Sequence, residues 1–470
     1  MQSVSVFQCL EIAKRCLSLS RFAAVCRGLV LCATLTCSSH LATAQAGKLD
    51  PTFSTGGIFT DSSAEFDNMG TFGNVVAIQN DVKILAAGQI GFAAGMVRLN
   101  SNGTLDVGFG TGGTVTINFP GSTLGASQII GLAIQSDGKM VAGISNANAD
   151  GSPVFIVARL NPNGSPDATF GNAGVVETQI GPSGIAASVL GLQADGKILL
   201  AGPGAMVRYE TTGQLDSTFG SGGMVVIPVA GPTAIALQPD GKILVAAGGS
   251  VPGVQAGPPG LQFAFPSPAG VVTRYNTNGS LDISFGISGQ AASVAVPSAI
   301  AVQTNGTCAS TCKIVVAGPI AAIDSVGQGG SSSLGFGLAR FTSLGNVDTT
   351  FGRNGGVITT FTTSDRIAAN FALVLQKNGD IVVAGTTGQS HFGVSVTQAD
   401  FALAQYTANG ALDTTFGSGG RVTSAFGANQ AGIYALALQS DGKIVAAGSS
   451  LEASTCGQVG GLVVARYLAQ

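Results

Sequence analysis

The chain has 470 residues, of which 70 are glycine, 45% are hydrophobic and only 10% are charged, with a net charge of −3. That hydrophobic share excludes a disordered polar chain, and glycine without a strict three-residue period excludes collagen. The acidic balance offers no basic excess to grip a nucleic-acid backbone, and the absence of Trp with only two His thins out the catalytic options.

The amino end reads as an address. Lys14, Arg15, Arg21 and Arg27 precede an apolar run from Leu29 to Thr36, and Ala44-Gln45-Ala46 follows. Basic flank, short apolar core and small-x-small site are the parts of a secretory signal peptide, and the run is too short to span a bilayer. The expectation is a signal peptide over 1–46, cleaved after Ala46, and a mature domain over 47–470. That protein would be secreted or periplasmic, without a membrane span. Cleavage removes four bases, one acid and five Cys, leaving a net charge of −6 with Cys308, Cys312 and Cys456.

The mature chain repeats one unit seven times. A first phrase, Leu-Asp-x-x-Phe, places aspartates at Asp50, Asp106, Asp167, Asp216, Asp282, Asp348 and Asp413. A second, clearest as Gln135-Ser136-Asp137-Gly138-Lys139, returns from Gln79, Gln193, Gln238, Gln303, Gln376 and Gln439. A third, clearest as Val157-Ala158-Arg159-Leu160, precedes each aspartate, and its seventh copy ends the chain as Val464-Ala465-Arg466-Tyr467.

Each unit resolves into four short strands. The segment after Phe-Gly, as in Gly113–Ile117, reads as the first. Asp-Gly between apolar runs marks a hairpin, because glycine supplies the positive φ of a two-residue turn. Leu132–Gln135 and Lys139–Gly143 are then the second and third strands, and Phe155–Leu160 the fourth. Apolar runs without alternation, such as Ile243–Ala247, predict a strand covered on both faces. Seven such sheets predict an all-β, seven-bladed β-propeller with four antiparallel strands per blade. The Ala and Gly ending each third strand would suit the narrow inner edge. Because the chain ends on a fourth strand, the last unit would close the ring without borrowing one.

The phrases Leu-Asp-x-x-Phe-Gly-x-x-Gly-Gly and Gln-x-Asp-Gly-Lys-Ile-x-x-Ala-Gly resemble the delta-60 repeat family of exported bacterial proteins over nearly all of 48–470. That resemblance implies a propeller of unassigned function and supplies no chemistry. Departures fall at Val82, where others have the turn glycine, at Ser54, in place of the glycine after Phe, and at Asp380 and Gln405, in place of Lys and Arg.

Most charge is repeat charge. Arg98, Arg159, Arg208, Arg274, Arg340 and Arg466 share one position, and Lys83, Lys139, Lys197, Lys242, Lys313 and Lys443 another. A charge present in nearly every unit belongs to blade construction, as turn capping or an Arg–Asp pair between neighbours. Asn-x-Asn-Gly stretches (Asn161, Asn163; Asn276, Asn278) have oxygens for calcium but lack a terminal bidentate Glu. They read as turns, and no cofactor is expected; a calcium-stiffened adhesin is the weaker alternative. After cleavage His391 is the only His, without the partners a catalytic triad needs. Cys308 and Cys312 flank an inserted turn tip and read as a disulfide in an exported chain.

Alternating strands send the recurrent turns to one face and the variable connections to the other. Insertions clustered on one face of a repeat protein mark a binding face. The longest carries Phe263 and Phe265, and His391 with Phe392 sits in another; these four are the ligand-face candidates. The expectation is a monomeric, exported, non-enzymatic scaffold that binds a macromolecule or surface glycan. The alternative is a propeller hydrolase or lyase with an axial metal or acid site.

Overall fold

The computed structural model describes residues 45–61, 72–119, 127–147, 153–180, 186–228, 231–248, 270–293, 295–304, 311–322, 332–361, 366–388, 399–426, 430–454 and 457–469. The chain divides into two compact units, Met1–Thr43 and Ala44–Gln470. The first, with the expected leader up to Ala44, lies outside the described residues.

The second unit is a seven-bladed β-propeller of four-stranded antiparallel sheets. After β1 (Ile58–Asp61), the first blade is β2 (Phe72–Ile78), β3 (Ile84–Ile90), β4 (Ala93–Leu99) and β5 (Thr114–Ile117), in that spatial order. Five further blades repeat this order along the chain. The strands equivalent to β2 begin each blade, and each touches its counterpart in the next blade. The last of these, Gln430–Leu438, touches β2. They therefore wall the axis.

Two expectations are corrected here. The strand after Phe-Gly is not the first strand of a sheet but its outer fourth: β5 pairs with β4, Val97 opposite Thr114 and Ala94 opposite Ile117. The inner edge accordingly belongs to the strand before the Asp-Gly turn. The Ala-Gly strand, such as β3, lies second from the axis. The ring also closes by borrowing. β1 completes the seventh blade beside Gly457–Tyr467, with Ile58 opposite Ala465 and Asp61 opposite Leu462. A chain that starts within a unit must complete its last sheet with its own amino end.

The second strands are covered on both faces, as their patterns predict: Ile84–Ala87, Ile198–Gly202 and Ile243–Ala247 are all buried. Seven hydrophobic clusters fill the spaces between neighbouring blades. One joins Leu199, Met206 and Phe219 of the third blade to Ile243, Val245 and Tyr275 of the fourth. The repeat phenylalanines, from Phe53 to Phe416, are completely buried in these clusters. Each contributes about 1.5–3 kcal/mol by leaving water.

The repeat departures at Ser54 and Val82 preserve the turns rather than altering them. Both adopt positive φ, 43° and 62°, a region that disfavours side chains with a Cβ and above all a β-branched valine. Ser54 N–H still donates to Asn102 O at 2.7 Å. The surrounding repeat therefore imposes the backbone on these residues.

Candidate functional site

The dominant polar feature is a charged node repeated on the turn face. In the third blade Arg208 lies on the third strand, and its Nε donates to Asp216 Oδ2 at 2.7 Å. Lys197, from the Asp-Gly-Lys turn, reaches the same oxygen at 2.7 Å. Asp216 Oδ1 accepts both the N–H and the hydroxyl of Thr218, at 3.0 and 2.6 Å. The Arg208 guanidinium also lies 4.4 Å from the centroid of the Phe219 ring, a cation–π arrangement. Its Nη1 then crosses to the next blade and donates to Thr277 O.

The same node appears as Arg98–Asp106, Arg159–Asp167, Arg274–Asp282 and Arg340–Asp348. In the seventh blade Arg466 pairs with Asp50, from the opposite end of the chain. The Arg–Asp pairs thus lie within a blade, not between neighbours. The crossing bonds are the arginine Nη1 bonds to the carbonyls of Pro162, Thr211, Thr277, Ser343, Ala408 and Ser101. The repeat glutamine joins this node. Gln79, Gln303 and Gln439 accept from the arginine Nη1, and Gln303 Nε2 donates to Gly379 O of the next blade at 2.8 Å. The glutamine opens the second phrase, and a Thr or Ser stands two residues after the aspartate in six of the seven units, with no role assigned to either from sequence. Their recurrence beside the charged positions was the available signal.

The sixth blade departs from the pattern. Gln405, fully buried, donates from Nε2 to Asp413 Oδ2 at 3.0 Å. Asp380, in the lysine position, accepts the Ala408 N–H at 2.9 Å.

Burial alone would raise the carboxyl pKa of each node aspartate. Hydrogen bonds and charge from Lys, Thr or Ser and Arg outweigh it and hold the groups below the usual range. Asp348 falls to about 2, and Asp50, Asp106, Asp167, Asp216 and Asp282 are also lowered. A lowered folded-state pKa stabilises the fold above the unfolded value, near 3.9, and that stabilisation is lost as pH falls through the folded value. Thermal stability should therefore vary little with these groups between pH 5 and 7 and fall steeply from about pH 4 to pH 2. Melting curves across that range check this; a flat profile would show that the node carboxylates are not preferentially ionised in the fold.

Polar groups on the inner strands lie toward their starts, where Asn74 Nδ2 donates to Gln128 Oε1 of the next blade at 3.0 Å, and the ends nearer the turn face are apolar. The four residues before each repeat glutamine, such as Val75–Ile78, Ala234–Leu237 and Ala435–Leu438, are Ala, Gly, Val, Leu or Ile in all seven blades. Among the described residues no group of three or more His, Cys, Asp or Glu side chains is placed to hold a metal. An open depression of about 840 Å³ on the turn face is lined by Gln193, Asp195, Arg208, Gln238, Asp240 and Thr277. Its walls are repeat residues: Asp195 and Asp240 each accept the N–H of the turn lysine, while the buried Gln193 Oε1 and Gln238 Oε1 have no hydrogen-bond partner among the described residues. The Asn-x-Asn-Gly stretches are turns, with Asn163 Oδ1 accepting Ser165 N–H at 3.0 Å.

Phe263, Phe265, His391, Phe392 and Cys308 lie outside the described residues. Cys312 is completely buried beside the strand Lys313–Ala322. Topology does separate two kinds of connection. The Asp-Gly turns and the Leu-Asp-x-x-Phe turns share one face. The connections between second and third strands, and those between blades, share the other.

A β-propeller family described as a domain of unknown function, DUF5122, matches residues 79–109, 135–170, 193–219, 376–416 and 439–470. The matched segments run from the repeat glutamine through the charged node, in the first, second, third, sixth and seventh units, and support a β-propeller repeat family. No curated protein matches the chain. Solved structures resemble it in fold. The extracellular domain assigned to a hybrid two component system of B. thetaiotaomicron is 11% identical over 87% of this chain and 41% of that one, with a TM-score of 0.41. That of a one component system of the same organism is 13% identical over 87% and 40%, with a TM-score of 0.38. The chain thus spans about two fifths of the length of either. A polysaccharide lyase of family PL25, an ulvan lyase, is 11% identical over 87% of this chain and 96% of that one, with a TM-score of 0.42.

Proposed function

We propose that this protein is an exported, non-enzymatic propeller of the delta-60 repeat type, which binds a macromolecule or surface glycan through the face opposite the charged nodes. The observation that carries this reading is the division of labour between faces. The charged turn-face side chains recur in nearly every blade and are engaged in pairs, caps and blade-to-blade bonds. The opposite face receives the connections that differ in length and composition from unit to unit, with the Ala-Gly glycine and the arginine or its equivalent from six to 26 positions apart. A rigid ring presenting variable loops suits recognition, because the scaffold need not change when the loops do. Within that reading Cys308 and Cys312 form a disulfide that pins the fifth Asp-Gly turn, seen as a mass about 2 Da below that of the reduced chain.

The test is a glycan array and a surface pull-down with the mature protein and two variants. Replacing 250–269 with a short Gly-Ser linker should abolish binding, while Asp195→Ala with Asp240→Ala should leave it unchanged. Binding lost in the turn-face variant and kept in the loop variant would assign recognition to the wrong face and refute the proposal.

A further inference from the structure

The turn that leads into Asp50 is made from both ends of the chain. In the first blade the equivalent turn is continuous, Asn100-Ser101-Asn102-Gly103. There Gly103 N–H donates to Asn100 O at 2.9 Å and Asn100 N–H to Thr104 O at 2.8 Å. In the seventh blade Gly47 N–H donates to Leu468 O at 3.0 Å, and Leu468 N–H to Lys48 O at 2.8 Å. Leu468 stands for Asn100, Ala469, which faces Gly442 as Thr211 faces Gly196, for Ser101, and Gly47 for Gly103, so Ala46 fills the place of Asn102 with Gln45 beside it.

Both residues act as turn residues. Ala46 is 7% exposed, and its carbonyl accepts Gly417 N–H at 2.8 Å. In the other blades that blade-to-blade acceptor is Asn102, Asn163, Thr212, Asn278, Leu344 or Asn409. Gln45 Nε2 donates to Gly417 O at 3.0 Å, and its own carbonyl accepts Lys48 N–H at 3.1 Å. The compact unit itself begins at Ala44.

We infer that the leader is cut between Ala44 and Gln45 rather than after Ala46, so that the mature chain begins at Gln45. The inference rests on the export reading above. Ala42-Thr43-Ala44 offers the same small-x-small pattern as Ala44-Gln45-Ala46, so the local signal does not separate them. The fold does. A cut after Ala46 deletes the seventh blade-to-blade acceptor and strands the Gly417 N–H, and an unmet backbone donor at a packed interface is costly. It also places a new ammonium on Gly47, whose N–H closes the turn. A cut after Ala44 keeps every one of the backbone bonds, whether or not the terminal glutamine later cyclises.

The full chain, expressed in a bacterium with a general export pathway and recovered from the periplasm, is analysed by intact mass and amino-terminal peptide. The expected product is 45–470, or that mass less one ammonia where the terminal glutamine has cyclised. A chain starting at Gly47 would overturn the inference and leave export standing. An uncleaved chain retained in the cytoplasm would overturn the export reading itself. Independently, purified 45–470 should melt several degrees above 47–470; equal melting temperatures would remove the structural ground for the inference.

Discussion

A chain of residues 62–470, which lacks residues 45–61, is expected to lose its cooperative fold rather than merely soften at one edge. The deletion removes β1 from the outer side of Gly457–Tyr467 and takes Phe53 out of the cluster it shares with Ile84, Val97, Val445 and Val464. It also removes Asp50, leaving the buried Arg466 guanidinium without its carboxylate. Breaking a buried pair from one side costs about 3–5 kcal/mol, and losing a buried phenylalanine about as much again. Together these approach the whole 5–15 kcal/mol typical of a native protein. Circular dichroism melts and gel filtration of 62–470 should show no cooperative transition and an aggregated species. A control separates strand loss from chain shortening. A circular permutant that joins 469 to 45 by a short linker, and opens between residues 120 and 126, keeps every strand and should fold. A truncated chain that melts like the intact protein would show that β1 is dispensable to closure.

Replacing one node carboxylate should have the largest effect of any single polar substitution. Asp216→Asn keeps the shape but leaves Arg208, 6% exposed, and Lys197 facing an amide. The expected cost is about 3–5 kcal/mol, the range for a buried charge deprived of its partner. Asp195→Asn, at an exposed turn in the same blade, should cost under about 1 kcal/mol. Arg208→Met with Asp216→Asn should recover part of the loss, because no buried guanidinium then lacks a counter-charge, although the bond to Thr277 O goes with it. Denaturant titrations of the four proteins decide the matter. Equal midpoints for Asp216→Asn and Asp195→Asn would demote the node to a surface ion pair. The acid limb offers a second readout, since the variant should lose stability less steeply below pH 4.

Much of this was legible in the chain before folding. The hairpin at Asp137-Gly138 was legible from the glycine, which adopts a φ of 83°, but its loop has three residues rather than the expected two, since Gln135 N–H donates to Lys139 O at 2.8 Å. The burial of Ile243–Ala247 on both faces followed from its unbroken apolar run. That repeat charges build blades was also readable, because Arg and Asp recur at constant offset. Their partners were not. Arg208 and Asp216 are close in sequence, but the carbonyl at Thr277 belongs to another blade, and only the angle between blades brings it near. The expected ligand-face residues, Phe263, Phe265, His391 and Phe392, lie in segments where no repeat constrains the reading, and they remain part of the proposal.

By itself the sequence determined the number of blades, the number of strands in each and where the chain turns, because these depend on local contacts repeated seven times. Tertiary structure alone decided how strands are shared between units, for a phrase boundary in sequence carries no information about which sheet a strand joins. β5 follows Phe109-Gly110 yet completes the blade before it, and β1 completes the last, since an outer strand gains its hydrogen bonds from the nearest open edge. The same closure gave Gln45 and Ala46 their role. No reading along the chain could place them beside Leu468, because only the ring brings the two ends together.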